Sequence, residues 1–277
     1  ATYFEDKNAG MPSQKHFPDW RPRPGTSEAF NRLIYQKASR TTKLEALDLP
    51  PLVRKEVYVE MGKKQRAAYE AMRDHLVAYI GERACVAKIA LTKALRLQQI
   101  VTGFFVDDEG KTTHFDDVPR LDALKETIEQ VVIDGGHKLI VWACFRENYG
   151  AIARVLNSLE IRYVELVGGM TERDRQGAID AFQTDPTVRV VVANQRAAGL
   201  AINLTAASYA LYYSKNFSLE DDTQSESRNH RGGSEVHERI TRLDLVCPGS
   251  IDEKITDALA RKVRVAESIL SVRELLA

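Results

Sequence analysis

From Arg120 onward, short apolar runs alternate with longer segments in which apolar residues recur at helical spacing. The apolar runs predict strands at 138–143, 162–166, 188–193, 209–213 and 240–246. The intervening segments predict helices at 121–133, 148–159 and 172–182, and a last long helix from Ser250. Continuous apolar strands that alternate with helices favour a parallel sheet covered by helices on both faces, with right-handed crossovers.

Two helix starts carry capping signals. Thr171 is the predicted N-cap of the helix at 172–182, with Asp174 three residues later. Ser250 and Glu253 form a predicted capping box for the last helix. That helix has apolar residues at helical spacing, namely Ile251, Ile255, Leu259, Ile269 and Leu270.

The first part of the chain has a different pattern. Residues 49–59 alternate as a half-exposed strand does, 61–82 and 85–101 have helical spacing, and 107–110 (DDEG) predict a hairpin turn within 104–118. Closely spaced prolines in 16–25 exclude a helix there, and a short helix is expected over about 27–37. We expect an extension at 1–48, a strand with a small helical insertion at 49–119, and an α/β lobe at 120–277.

The composition limits the function classes. The 277 residues include 39 basic and 39 acidic side chains, so any contact with DNA must come from local patches. The sequence contains no apolar run that could span a membrane and no signal-peptide pattern, so we expect a cytoplasmic protein. Cys85, Cys144 and Cys247 are far apart, which indicates reduced thiols rather than disulfides. We find no metal-site spacing of histidine and cysteine.

Ligands of open α/β sheets bind beyond the carboxyl ends of the strands. The residues expected at these ends are rich in glycine, amides and cations: Cys144, Phe145 and Arg146; Gly168 and Gly169; Gln195, Arg196 and Gly199; Ser214, Lys215 and Asn216. The two glycines precede a helix N-terminus, where backbone N–H groups favour an anion. Two glycines alone would indicate only a tight turn, but together the four ends predict an anion-binding edge.

Gln224, Arg228 and Arg231 follow the strand at 209–213. On one helix they would stand at i, i+4 and i+7 and share a face. One amide and two guanidiniums on one helix face have two interpretations. Either the face is simply exposed to solvent, or its N–H groups bind phosphate oxygens. The predicted buried strands on both sides favour the phosphate interpretation.

Two stretches resemble a known family. Residues 194–205 (NQRAAGLAINLT) and 224–231 (QSESRNHR) resemble motifs V and VI of superfamily-two helicases, most closely the Swi/Snf-type DNA translocases. Their patterns run TRAGGLGINL and QxxDRxHRIGQ. Residues 138–156 are similar to motif IV and its helix, and 16–20 (HFPDW) to a piece found in phage and bacterial members. The resemblance implies a RecA-like second ATPase lobe.

The resemblance also implies residue roles. Arg228 and Arg231 would be catalytic arginines, and Gly199, Asn203 and Gln224 would face the nucleotide. DNA-backbone contacts would come from the expected strand ends, at Arg146, Gly168, Gly169, Gln195 and Arg196. The sequence departs from the pattern where Ala198 and Ala201 replace glycines, Phe217 replaces a tryptophan, and Gly232, Gly233 and Ser234 replace Ile-Gly-Gln.

Two family motifs are absent. The sequence contains no GxxxxGK[ST] phosphate loop and no DExH box, which in this family lie on the first lobe. We therefore expect half of an ATP-dependent DNA translocase, inactive alone. ATP and Mg²⁺ would be held mainly by a first lobe in the same protein or in a split partner. Expected partners are duplex DNA and that lobe, with no membrane, in a bacterial or phage setting. A non-enzymatic DNA- or protein-binding adaptor lobe and a DEAD-box-type RNA helicase lobe stay open as alternatives.

Overall fold

A computed structural model describes residues 46–82, 87–107, 109–196 and 202–261, together with 4–6, 9, 20–23, 26, 29 and 33. The chain divides into two compact units, 1–47 and 48–277. In the first unit, strand β1 (Phe4–Asp6) pairs antiparallel with strand β2 (Trp20–Pro22). The helix expected over 27–37 lies almost entirely outside the described residues.

The second unit is built on one parallel sheet. Among the described residues, six strands form it in the order β3-β10-β9-β6-β8-β7. The strands are β3 (Leu52–Tyr58), β6 (Leu139–Trp142), β7 (Tyr163–Leu166), β8 (Val190–Ala193), β9 (Tyr209–Tyr212) and β10 (Ile240–Val246). Two short strands outside this sheet, β4 (Phe104–Val106) and β5 (Thr112–His114), form an antiparallel hairpin.

The described helices flank the sheet or precede it. They are α1 (Lys63–Glu82), α2 (Ala87–Val101), α3 (Pro119–Ile128) with a π-helical continuation (Glu129–Asp134), α4 (Arg146–Ser158), α5 (Glu172–Thr184), α6 (Leu219–Glu226) and α7 (Ile251–Ala260). In the part of the chain that the structure describes, no helix combines the length and apolar character needed to cross a membrane.

Helices cover both faces of the sheet because alternate strand residues point to opposite sides. On one face, α3 and α4 pack on strand residues that include Leu139, Val141 and Leu211. On the other face, α5 packs through Ile179 and Phe182 on a cluster that contains alternate residues of the same strands. A third cluster joins α1 and α2 to α7 beside the end of β10. The architecture confirms the predicted RecA-like α/β fold.

Most predicted elements are present, with shifted ends. The predicted hairpin turn forms with Asp107 Oδ1 accepting from the backbone N–H groups of Glu109 and Lys111. The helix predicted over 121–133 changes to π-helical geometry at Glu129. Thr171 caps α5 as predicted, because its side chain accepts from the N–H of Asp174.

The prediction for the last helix is only partly confirmed. Ser250 caps α7, but its side chain accepts from the N–H of Asp252 rather than that of Glu253, so the predicted capping box is wrong in detail. Ile251, Ile255 and Leu259 are buried as predicted. Ile269 and Leu270 lie outside the described residues.

The cysteines of the described residues are free thiols. Cys247 is buried and Cys144 is half-buried, and both are unpaired with another cysteine. Burial raises the pKa of the Cys144 thiol to about 12, which keeps it protonated and unreactive. Cys85 lies outside the described residues.

A buried ion pair joins α3 to α7. The guanidinium of Arg120 pairs with the carboxylate of Asp252, and it also donates from Nη1 to the carbonyl of Tyr213 at 2.5 Å. The same carboxylate accepts from the N–H of Cys247 at 3.2 Å. Both charged residues are buried, so each depends on the other for compensation.

We predict that Arg120→Ala lowers the free energy of unfolding by about 3–5 kcal/mol, because it leaves the Asp252 carboxylate buried without its partner. The control is Lys125→Ala on the exposed side of α3, which should change stability by no more than about 0.5 kcal/mol. Denaturant unfolding of both variants measures the difference. If the two variants were equally stable, the Arg120–Asp252 ion pair would not be what holds α7 in place.

Candidate nucleotide and DNA site

The carboxyl ends of the strands meet at one edge of the sheet. Strands β9, β6, β8 and β7 are adjacent and parallel, so the segments that follow them emerge side by side. Arg146, at the first position of α4, is exposed at this edge, as are Gly168 and Gly169 after β7. Gly169 has a φ of +90°, a conformation that glycine adopts without strain.

The segment after β8 uses its amides to organise this edge. Asn194 donates to the Tyr149 hydroxyl at 2.7 Å, and its own side-chain oxygen accepts from the N–H of Arg196 at 2.9 Å. Gln195 is 1% exposed, donates to Ser225 Oγ at 3.3 Å, and accepts from the N–H of Asn216 at 3.0 Å. Gln195 therefore positions neighbouring residues in this conformation, and its contact with the DNA backbone stays a prediction.

Arg196 extends from the same segment toward helix α6. Its Nε donates to Asp221 Oδ2 at 3.2 Å, and the same oxygen accepts from Asn216 Nδ2 at 2.7 Å. The Arg196 side chain is 80% exposed, whereas that of Asp221 is 19% exposed. Arg196 is thus a solvent-accessible cation at the edge, held by a neighbouring carboxylate.

Lys215 is not an open cation at this edge. It is buried, its ammonium donates to Thr256 Oγ1 at 2.8 Å, and Asp244 lies 3.7 Å away. Its carbonyl accepts from the Gln98 side chain, which connects α2 to the end of β9. The sequence pattern placed Lys215 among the cations of the anion-binding edge. In the structure, the Lys215 side chain instead binds other residues of the lobe.

A small cavity of about 180 Å³ opens at this edge. Its walls combine partly exposed aromatic rings with amides and one guanidinium, and the lining includes Phe145, Phe217, Asn194, Asn216 and Arg196. The phenylalanine that replaces the family's tryptophan is therefore at the carboxyl edge, next to the residues that the resemblance assigns to DNA contact.

The predicted single helix face carrying Gln224, Arg228 and Arg231 is wrong. Helix α6 ends at Glu226, and Ser227 has φ −77° and ψ 2°, which leaves the helical path. Gln224 lies on the helix and donates to Glu220 at 3.0 Å. Arg228 and Arg231 lie in the turn that follows, so their placement depends on that turn rather than on helical spacing.

Hydrogen bonds tie this turn to the segment around motif V. The N–H of Leu204 donates to the carbonyl of Arg228 at 3.0 Å, and Arg231 Nη1 donates to the carbonyl of Ile202 at 3.3 Å. Asn203 lies between them and accepts from the N–H of Thr205 at 3.1 Å through its side chain. The structure thus brings the motif VI arginines beside Asn203; Gly199 lies outside the described residues.

The two arginines of this turn interact electrostatically. Arg228 is 7% exposed, and burial, followed by the positive charge of Arg231, lowers the pKa of its guanidinium. An anion placed between the two guanidiniums would relieve that repulsion. Because Arg228 is buried, substitutions there must be checked for their effect on folding.

A second buried arginine holds α6 on the sheet. Arg242 of β10 donates from Nη2 to Asp222 at 2.7 Å, from Nη1 to Glu226 at 3.1 Å and from Nε to Asp244 at 3.1 Å. Its guanidinium carbon also lies 3.9 Å from the centre of the Tyr212 ring. Although burial opposes the charge, Tyr212 and the carboxylates of Asp244 and Asp222 raise the pKa of Arg242.

The end of α6 is also held from the edge strand. Arg54 of β3 donates from Nε and Nη2 to the two carboxylate oxygens of Glu226, at 2.7 and 2.6 Å. Burial works against ionisation of Glu226, but the hydrogen bond from Arg54 and the charges of Arg242 and Arg54 together lower its pKa. Glu226 is therefore ionised at neutral pH and bound by two arginines, two residues before Arg228.

Sequence reasoning missed the role of Arg242. The available signal was that Arg242 and Asp244 are charged residues at alternate positions of a strand predicted to be buried. Charges in such a strand need partners of opposite sign. The identity of those partners on α6 could not be deduced, because it depends on which helix lies over β10.

Sequence comparisons relate this chain to helicases. Residues 120–233 match the model of the family described as "Helicase conserved C-terminal domain". The chain is 30% identical over 152 residues to the ATP-dependent helicase FUN30 of Saccharomyces cerevisiae, an alignment that covers 55% of this chain and 13% of that protein. It is 28% identical over 167 residues to the chromatin-remodeling ATPase INO80 of Sclerotinia sclerotiorum, covering 60% of this chain and 9% of that protein.

Solved structures share the fold. The C-terminal part of the Fun30 ATPase domain superposes with a TM-score of 0.63 at 19% identity, covering 81% of this chain and 97% of that one. The SWI2/SNF2 ATPase core of Sulfolobus solfataricus in complex with dsDNA gives 0.64 at 24% identity, covering 84% and 50%. These relatives lend no support to the expected phage or bacterial setting, since the curated proteins named above are fungal.

The Arg242 cluster gives a stability prediction. Arg242→Leu should lower the free energy of unfolding by about 3–5 kcal/mol, because Asp222 and Asp244 would stay buried without their shared cation. Arg54→Ala, which removes a 58% exposed partner of Glu226, should cost only about 0.2–1 kcal/mol. Denaturant unfolding compares the two, and equal losses would contradict a central role for Arg242.

Proposed function

We propose that this helicase C-terminal lobe of the Swi/Snf type acts as the second half of an ATP-driven motor that moves along duplex DNA. Arg228 and Arg231 supply positive charge to the phosphates of ATP, and the carboxyl edge of the sheet contacts the DNA backbone. The matched parts are 13% and 9% of the curated relatives, so the activity of the whole protein is part of this proposal.

The arrangement of the motif VI turn carries the catalytic part of the proposal. Arg228 is buried, and burial, followed by the positive charge of the half-buried Arg231, lowers the pKa of its guanidinium. Hydrogen bonds join this pair to the segment that contains Asn203. Phosphoryl transfer develops negative charge on the γ-phosphate, which such a pair would neutralise. Arginine suits this role because its planar fork matches phosphate oxygens and it stays charged when buried.

A phosphate-loop lobe would complete the nucleotide site. The 277 residues contain no phosphate loop or DExH box, so binding of Mg²⁺ and the β- and γ-phosphates is assigned to a first ATPase lobe, in the same or another polypeptide. The residues that this chain contributes are Gln224, Arg228 and Arg231, with Asn203 and Gly199 on the motif V side.

Exposed groups at the carboxyl edge support the DNA part of the proposal. Arg146 and Arg196 are exposed there, and the exposed Gly168 and Gly169 would allow a phosphate to approach the backbone before α5. The similar ATPase core from Sulfolobus solfataricus was solved with double-stranded DNA. A non-enzymatic adaptor lobe would need the same surface but not the paired arginines.

The arginine role is tested in an ATPase that contains this lobe together with a phosphate-loop lobe. Arg228→Lys and Arg231→Lys should each lower DNA-stimulated ATP turnover by about 10³-fold or more, because lysine keeps the charge but lacks the fork. Arg239→Lys, at an exposed position just before β10, is the matched control and should leave turnover unchanged. Thermal melting of each sample separates loss of catalysis from loss of folding, and near-normal turnover in both variants would refute the assignment.

The DNA contacts are tested with this chain alone. If Arg146 and Arg196 make the main phosphate contacts among the described residues, duplex binding is weak and its log–log dependence on salt has a slope of about −2. Arg146→Ala should make the slope shallower by about one unit, whereas Lys125→Ala, on the exposed side of α3, should not change it. Fluorescence anisotropy over a salt series measures both, and salt-independent binding would indicate a different mode of recognition.

A further inference from the structure

Two donors at the carboxyl edge converge on one carboxylate oxygen. Arg196 Nε and Asn216 Nδ2 lie 3.2 and 2.7 Å from Asp221 Oδ2. They come from different strand ends, after β8 and β9, while Asp221 lies in the first turn of α6. A single anionic oxygen is therefore bound at a point where three elements meet.

The Asn216 donor is held in this orientation by further hydrogen bonds. Its backbone N–H donates to Gln195 Oε1 at 3.0 Å, and its side-chain oxygen accepts from the N–H of Ser218 at 3.1 Å. With its oxygen occupied, the amide group must direct its N–H₂ toward Asp221. Asn216 is thus a preorganised donor, which costs little entropy to use in binding.

In the ion pair between Arg196 and Asp221, the carboxylate can be replaced by another anion at little cost. The Arg196 side chain is 80% exposed, and an ion pair with an exposed arginine contributes little to stability. A backbone phosphate of DNA offers an oxygen with the same charge as the carboxylate and accepts the same donors. The cavity between Phe145 and Phe217 lies beside these groups and opens to solvent at the same edge.

We propose that Asn216 is a phosphate-binding residue of this lobe, and that Asp221 occupies the place of a DNA phosphate oxygen when DNA is absent. Binding of DNA displaces the Arg196 side chain from Asp221 and brings a phosphate to Arg196 and Asn216. Asp221 therefore acts as an intramolecular competitor that lowers the affinity of the lobe for DNA. This inference rests on the proposed DNA contact at the carboxyl edge.

The test compares two substitutions that remove the same charge from the same helical turn. Asp221→Asn should raise the affinity of the chain for duplex DNA by about two- to fivefold, the factor that corresponds to one exposed ion pair. Glu220→Gln is the matched control: it removes a charge from the adjacent residue, whose contact is to Gln224 rather than Arg196. It should raise the affinity by clearly less.

Two further variants test whether Arg196 and Asn216 are the residues that bind the phosphate. When Arg196 is replaced by alanine, Asp221→Asn should raise the DNA affinity no more than Glu220→Gln does. The reason is that the cation for which Asp221 and the phosphate compete is then absent. Asn216→Ala should weaken DNA binding about two- to fivefold, with a thermal melt to confirm that the fold is retained. Titration with ATP in place of DNA separates the two sources of phosphate.

The outcomes distinguish the inference from the proposed function. If the wild-type chain binds DNA with the expected salt dependence but Asp221→Asn gains no more than Glu220→Gln, the competitor role is overturned and the DNA contact stands. If neither the wild type nor any variant shows salt-sensitive DNA binding, both are overturned. A gain in ATP affinity without a gain in DNA affinity would overturn the assignment to DNA.

Discussion

One buried guanidinium fixes the helix that leads into the turn with Arg228 and Arg231. Arg242 lies on the inner strand β10 and binds carboxylates at both ends of α6, Asp222 and Glu226, while its face rests on the Tyr212 ring. A buried cation is costly unless its donors are satisfied. Here the bidentate contact to Asp222, the contact to Glu226 and the contact to Asp244 satisfy it, so α6 has one favourable position over the sheet.

The position of α6 then sets the positions of residues at both of its ends. At its C-terminal end, the chain leaves the helix after Glu226 and enters the turn that carries Arg228 and Arg231. One backbone bond and one bond from the Arg231 side chain hold this turn to residues 202–204. At its N-terminal end, the first turn presents Asp221 to Arg196. The proposed nucleotide side and the proposed DNA side are therefore connected through a single short helix.

The sequence was informative where local pattern decides structure. Continuous apolar runs predicted the buried strands β6, β8 and β9, and Thr171 predicted the start of α5 because its cap bond is local. The pattern failed after Glu226, since helical spacing of Gln224, Arg228 and Arg231 does not reveal that bonds to another segment end the helix. Burial of Gln195 and Lys215 also depends on elements distant in sequence, as their partners Ser225 and Thr256 show.

The central claim is that the motif VI arginines bind the transferring phosphate of ATP, and it can be observed directly. The measurement is the structure of this chain together with the proposed phosphate-loop lobe, with ADP and a metal fluoride that mimics the transferring phosphate. The account predicts that guanidinium nitrogens of Arg228 and Arg231 lie about 2.7–3.1 Å from the fluoride or from phosphate oxygens. A closed complex in which Arg231 still donates to the carbonyl of Ile202 and neither arginine reaches the nucleotide would contradict it.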